Sequence, residues 1–233
     1  MNQTLLIQGI AALGGSLSDT QLSQFAAYSA LLKEWNQKMN LTAITDDDGI
    51  SVKHFLDSIL PLYHIQIPPN ASLADIGTGA GFPGVPLKII RPDLSVTLVD
   101  SLNKRITFLE AVCRELGLTN VTCIHGRAEE LGKDNKYREK FDLVTSRAVA
   151  NLRVLGEYCL PLTKVGGQFL ALKADGVDEE LSDARPMLGT LGGGKPQVIP
   201  VPLPESDMVR KLVLIPKEKP TPSQFPRRAN KIK

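Results

Sequence analysis

An α/β protein is predicted: a doubly wound, mostly parallel sheet closed by an antiparallel hairpin and preceded by an N-terminal helical cap. Three observations carry that expectation. From Ser72 onward, short apolar runs alternate with stretches of helical periodicity, as strand–helix–strand units require. A glycine-rich loop follows the first of those runs and precedes a helix, which is where open α/β sheets bind ligands. Before Ser72 the periodicity is helical.

The elements follow in order. Ser18-Asp19-Thr20-Gln21 fits a capping box, and Leu22, Phe25, Leu32, Trp35 and Met39 then recur on one helical face. Asp46 to Asp48 put negative charge at the start of a second helix carrying Val52, Phe55, Leu56, Ile59 and Leu60, which Pro61 and Pro68-Pro69 bring to an end. Strands are expected at Ser72 to Ile76, Val96 to Val99, Val121 to Ile124, Phe141 to Thr145 and Gln168 to Leu172. Helices are expected at Pro86 to Ile90, Lys104 to Leu116, Asn151 to Leu160 and Val177 to Leu188. After Gly192-Gly193-Gly194, the runs Gln197 to Val201 and Val209 to Ile215 have no helix between them, so an antiparallel hairpin is the economical reading. The expected divisions are a cap over 1–69, a sheet domain over 70–216 and a basic, extended tail over 217–233.

Composition narrows the class. With 233 residues, 42% of them hydrophobic and 22% charged, the chain is neither disordered, collagen-like nor a coiled-coil rod. No run approaches the roughly 18–20 apolar residues of a membrane-spanning helix, and Met1 to Ser16 lacks the basic start of a secretory signal. The expectation is a cytoplasmic protein with no membrane contact, and a monomer. Cys113, Cys123 and Cys159 are an odd number without a CxxC, and His54, His64 and His125 form no ligand pattern, so no disulfide framework and no metal are expected. Charge is uneven: from Glu205 onward eight basic residues oppose three acidic ones, which leaves the rest of the chain at −3. Such a tail either binds a polyanion or is simply solvated.

The sharpest motif is Asp75-Ile76-Gly77-Thr78-Gly79-Ala80-Gly81-Phe82-Pro83-Gly84, with Asp100 ending the next strand where a carboxylate accepts from ribose hydroxyls. Two ligands fit. Gly79-x-Gly81-x-x-Gly84 formally matches the fingerprint of NAD binding. S-adenosylmethionine uses the same loop and acid without a pyrophosphate to cradle. The second is favoured, because the NAD register leaves Gly77 unexplained and Pro83 removes a backbone N–H where donors are needed. Gly126-Arg127-Ala128-Glu129-Glu130, after the third strand, offers groups for an adenine amine, or else a helix N-terminus favouring negative charge.

Trp35 to Thr42 (WNQKMNLT), His54-Phe55-Leu56-Asp57-Ser58, the Asp75 to Gly84 loop, Gly126 to Glu129, Thr145-Ser146-Arg147-Ala148-Val149-Ala150 and the tail Phe225-Pro226-Arg227-Arg228-Ala229 resemble, in order, the glucose-inhibited division protein B family, the bacterial small-subunit rRNA guanine-N7 methyltransferases. The resemblance implies a class I, Rossmann-like methyltransferase fold with a seven-stranded sheet over 70–216. It implies S-adenosylmethionine as methyl donor, S-adenosylhomocysteine as product, and N7 of guanine 527 in 16S rRNA or the small ribosomal subunit as acceptor. Carried over by motif, cofactor binding falls on Gly77, Phe82, Ala128, Glu129 and Arg147. Gly79, in the same loop, and Asp100, on the physical argument above, complete the expected cofactor set. Arg127, Lys173 and Arg210 resemble residues that hold cofactor or RNA, with Lys173 and Arg210 the looser matches, and Arg227 and Arg228 join them as RNA contacts.

Guanine N7 has a free lone pair, so the reaction needs orientation rather than a base. Arg147 is the expected catalytic residue, steering the acceptor or the methionine carboxylate. Phe82 would stack on a base or form an apolar lid over the cofactor. Trp35 is expected in the core, His54 in a local hydrogen bond with Asp57, and Asn36 to Asn40 either on RNA or simply ending a helix. Three rivals stay open: an NAD oxidoreductase, a non-catalytic RNA or protein binder, and a methyltransferase with another acceptor.

Overall fold

The computed structural model describes every residue except Asp175, Ala229, Asn230 and Lys233. Ala229 of the tail motif and Lys233 of the basic count therefore lie outside the described residues.

Five helical pieces come first: α1 (Gln3–Ala12), α2 (Asp19–Met39), α3 (Asp47–Gly49), α4 (Asp57–Ile59) and α5 (Pro61–His64), with a π-helical segment, Ile50–Leu56, between α3 and α4. The capping box forms: Gln21 N donates to Ser18 Oγ (3.2 Å) and Ser18 N to Gln21 Oε1 (3.0 Å), satisfying two otherwise orphaned N–H groups. Nothing in the spacing before Ser18 marked α1, yet its Leu6 and Ile10 are fully buried. Pro61 does not end the helical region but opens α5, where a missing N–H costs nothing.

Seven strands form one sheet: β1 (Ser72–Ile76), β2 (Ser95–Asp100), β3 (Val121–His125), β4 (Phe141–Arg147), β5 (Thr163–Lys173), β6 (Gln197–Pro202) and β7 (Val209–Pro216). Their order is β3-β2-β1-β4-β5-β7-β6. The first five run parallel, and β7 lies antiparallel between β5 and β6. The helices α6 (Gly84–Ile90), α7 (Asn103–Glu115), α8 (Ala128–Leu131), α9 (Leu152–Cys159) and α10 (Val177–Thr190) connect them.

The two-residue pleat period sorts the core. Leu73, Leu98, Leu143, Leu170 and Leu172 pack with α1, α2, α6 and α7. Ala74, Ile76, Val99, Val144, Phe169 and Ala171 pack with α8, α9 and α10. Phe25, Tyr28 and Leu32 of α2 belong to the first cluster, so the cap and the sheet share one core. Strand order reverses between β1 and β4, and the crevice beyond their carboxyl ends is the place such sheets offer a ligand. Among the described residues no helix is long and apolar enough to cross a membrane.

The tail is docked rather than free. Lys217, Thr221 and Phe225 are buried, and the Arg138 guanidinium donates to the Gly132, Thr221, Pro222 and Phe225 carbonyls. Through Arg227 the tail's backbone carbonyls find donors on the body of the protein, while Lys219 and Arg228 stay exposed.

Candidate active site

The loop after β1 is held from below by Asp75. Its Oδ2 accepts from Thr78 Oγ1 (2.6 Å) and from Gly84 N (2.8 Å), while its Oδ1 has no partner among the described residues. Burial raises this carboxyl to about 6. Gly77 has φ +68° and a Cβ there would lie 2.5 Å from Val149 Cγ2, so both backbone and space demand glycine. From α2, the Tyr28 hydroxyl donates to Ala80 O at 2.5 Å, and burial pushes its pKa up, keeping the proton that makes the bond.

The loop's N–H groups are almost all spent. Gly77 N and Thr78 N donate to Val99 O, Gly81 N and Phe82 N to Thr78 O, Gly79 N to Asp100 Oδ2 and Gly84 N to Asp75 Oδ2. Pro83 has none, which leaves only Ala80 without an acceptor among the described residues. A pyrophosphate cradle needs several N–H groups pointing at the ligand.

Beside the loop is a cavity of about 200 Å³ walled by Ile76, Gly77, Val99 and Val149, with Ser101, Gly126, Arg127, Ala128, Glu129 and Tyr158 around it. Its apolar walls and single buried carboxylate suit a nucleoside. A second cavity, of about 480 Å³, is lined by Lys53, His54, Asp57, Arg147, Lys173, Glu180 and Arg210 among others. Arg147 ends β4 and lines the second cavity, whereas Val149 lines the first. Between them Ala148 takes φ +56°, turning the chain from one cavity to the other. A third, of about 650 Å³, runs past Arg127, Glu129, Glu130, Lys133, Arg227 and Arg228. The cavity of about 410 Å³ between the Leu62 to Pro69 segment and Arg91 is lined by none of these residues.

The structure thus gathers Gly77, Ala128 and Glu129 on the first cavity, with Arg127 61% exposed at its edge. Arg147, Lys173 and Arg210, far apart in sequence, meet on the second. Several expectations change. Asp100 is 2% exposed and does not line the cavity; its oxygens accept from Gly79 N (3.0 Å) and Leu102 N (2.9 Å) and pair with Arg105 at 3.2 Å. Gly79 lines neither of these two cavities. Phe82 is 6% exposed, its ring stacked on His54 at 4.4 Å and carrying the Arg147 guanidinium at 5.1 Å. Phe82 lines neither of these two cavities.

His54 does not bond Asp57. Its Nε2 meets Thr42 Oγ1 at 2.8 Å, and burial, reinforced by Arg147, lowers its pKa to about 4, so the ring is neutral. Asn40 ends α2 in the left-handed region, and Asn36, in the last turn, exchanges two hydrogen bonds with the Thr42 backbone (3.0 and 2.9 Å). Trp35 is half-buried against Phe108. Arg227 is committed to Glu157, with its Nη2 at 2.7 Å and its backbone N at 2.6 Å; Arg228 remains exposed. Ser101 and Tyr158, which sequence reasoning did not single out, also line the first cavity. Ser101 was signalled by its place just after the strand's acid; no local pattern marks Tyr158, which α9 brings in from across the sheet.

Comparison with known proteins agrees with this geometry. The YcgJ protein of Bacillus subtilis superposes with a TM-score of 0.54 at 17% identity, covering 71% of this chain and 100% of that one. Precorrin-6y C5,15-methyltransferase of Geobacter metallireducens gives 0.51 at 13%, covering 69% and 87%. These likenesses show the fold, the class I methyltransferase architecture with its antiparallel C-terminal hairpin. By sequence, the chain is 51% identical to the ribosomal RNA small subunit methyltransferase G of an Exiguobacterium species, over 98% of this chain and 96% of that protein. It is 50% identical to the protein of that name in Lactobacillus delbrueckii subsp. bulgaricus, over 98% and 97%. The family model described as rRNA small subunit methyltransferase G matches residues 21–201. A glycine loop with almost no free N–H for a pyrophosphate, set in this fold and in this company, belongs to a methyl-transferring chain, and the protein is a member of the rRNA small subunit methyltransferase G family.

Proposed function

We propose that the protein transfers the methyl group of S-adenosylmethionine to N7 of a guanine in 16S rRNA, at guanine 527. The observation that carries the cofactor reading is the internal use of the glycine-loop N–H groups: the loop shapes a nucleoside cavity and leaves no pyrophosphate cradle, which also disfavours an NAD oxidoreductase. When bound, S-adenosylmethionine supplies an electrophilic methyl carbon on a sulfonium.

The residues present suit it. Ile76, Val99 and Val149 enclose an aromatic base, Glu129 is placed to accept an exocyclic amine, and Ser101 takes the ribose-side position that Asp100 does not. Asp100 instead acts on the cofactor through the loop it ties. The second cavity adjoins the first through residues 147–149 and holds a net positive charge, with Lys53, Arg147, Lys173 and Arg210 against Asp57 and Glu180. It is the acceptor's place. Because N7 needs no deprotonation, this chain's work is orientation, and an Arg147 N–H is best spent on O6 or a phosphate, since a donor on N7 itself would block attack. Arg127, Lys133 and Arg228 line the third groove, which adjoins the first cavity at Arg127 and Glu129, and offer cations to RNA phosphates.

The test is incubation with methyl-labelled S-adenosylmethionine and either unmodified 16S rRNA or small subunits, followed by nucleoside separation. Label in 7-methylguanosine is the expected result, and the better substrate identifies the assembly stage. Cofactor binding with no label in RNA would overturn the acceptor. Arg147→Ala should lower RNA-dependent turnover at least tenfold; unchanged turnover and cofactor affinity would remove Arg147 from the mechanism.

A further inference from the structure

We infer that Asp57 is the positioning residue of this site, holding the guanidiniums of Arg147 and Arg210 in place over the second cavity so that their remaining N–H groups meet the RNA. The inference rests on the RNA methyl transfer proposed above.

Asp57 follows the π-helical segment and is 5% exposed. Its Oδ2 accepts from Arg147 Nη1 at 2.8 Å and its Oδ1 from Arg210 Nε at 2.7 Å. One arginine ends β4 and the other lies near the start of β7, so a single carboxylate from the cap ties together two strands of the sheet. Without it, two like charges would face each other across the same cavity. With it, the buried carboxylate has a charge-assisted donor on each oxygen, the condition under which a buried ion group is tolerated.

The geometry leaves work for the arginines. Apart from a 3.4 Å contact from Arg147 Nη1 to Lys53 O, no other hydrogen bond is made by either guanidinium among the described residues. Each guanidinium carries five N–H groups in a rigid fork, and both side chains line the cavity. Arg147 is held twice, by Asp57 at its edge and by the Phe82 ring under its plane. Lys173 is held differently, by Glu180 Oε2 at 2.7 Å and Ala150 O at 2.8 Å, so Asp57 serves the arginines alone. An arginine already ordered loses less freedom when an acceptor arrives. Asp57 needs no contact with the RNA, the cofactor or the reacting atoms.

The test compares wild type, Asp57→Asn, the Arg147→Ala/Arg210→Ala double variant, and the triple variant that combines them. Thermal melting, S-adenosylmethionine affinity, RNA affinity and RNA-dependent kcat and KM are measured for each. Asp57→Asn should lower kcat/KM for RNA at least tenfold and RNA affinity at least fivefold, with S-adenosylmethionine affinity within twofold. In the double-arginine background the same change should move RNA affinity by less than twofold, because nothing remains to be positioned. If Asp57→Asn melts too low to assay, Asp57→Glu, which keeps the charge but displaces it by a methylene, takes its place with the same expectations. The inference is overturned if kcat/KM stays within twofold of wild type, or if the loss in RNA affinity is equally large without the arginines. A wild-type protein that labels no RNA overturns the proposed function, and with it the premise of the inference.

Discussion

Asp75 and His54 are buried with opposite consequences for charge. Burial raises Asp75 to about 6, above its ordinary 3.8, so the folded state holds more protons than the unfolded one between those values, and this group's contribution to stability falls as pH rises through the window. His54 is lowered to about 4 from 6.5, so the unfolded state holds more protons there, and its contribution falls as pH drops below 6.5. Each shift corresponds to roughly 3 kcal/mol. The two nearly cancel between pH 4 and 6. Relative to wild type, Asp75→Asn should therefore make stability rise more steeply with pH in that window and His54→Gln should make it fall; urea denaturation at several pH values checks both. Slopes of the same sign for the two variants would contradict the assignment. The glycine spacing was legible in the sequence, but the duties of these two side chains were not. Asp75 reads as a strand residue until Gly84 folds back on it, and His54 sits three residues from Asp57 yet finds its partner in Thr42.

Among the elements, α9 does more than cover the sheet. Glu157 is fully buried on it and takes the tail through Arg227, while the neighbouring Tyr158 lines the cavity beside the glycine loop. Removing one partner of such a pair leaves a charge in the core. Arg227→Ala should accordingly destabilise the protein by about 3 kcal/mol, and the Arg227→Ala/Glu157→Gln double variant should recover part of that loss; thermal unfolding decides, and additive losses would count against the pair. Element positions were largely legible, since each strand and long helix from Ser18 on carries its own apolar period. The exceptions have local causes. α1 buries only Leu6, Gly9 and Ile10, with Leu56 packing over Gly9. Pro61 was read as a stop where it serves as a start, because a proline is compatible with either.

On the scale of the whole molecule, two cavities meet at the point where strand order reverses, and a basic groove runs on from one of them. If the groove carries RNA, each exposed cation on it releases counterions when a phosphate binds. Lys133→Ala and Arg228→Ala should each flatten the slope of log affinity for RNA against log salt by roughly 0.7–0.9, with S-adenosylmethionine affinity unchanged; titrations at several salt concentrations measure it, and an unchanged slope takes that residue off the RNA path. The sequence by itself determined the doubly wound class, the place of the glycine loop, the closing hairpin and the family resemblance, because these are written in spacings of two to ten residues that act before any long-range contact forms. The tertiary structure alone decided that β7 inserts beside β5, that the tail docks on α9, and that Asp57 meets Arg147 and Arg210 across 90 and 153 residues. Those pairings depend on which strands become neighbours, and strand order is set by the summed packing of two apolar faces, which no local pattern encodes.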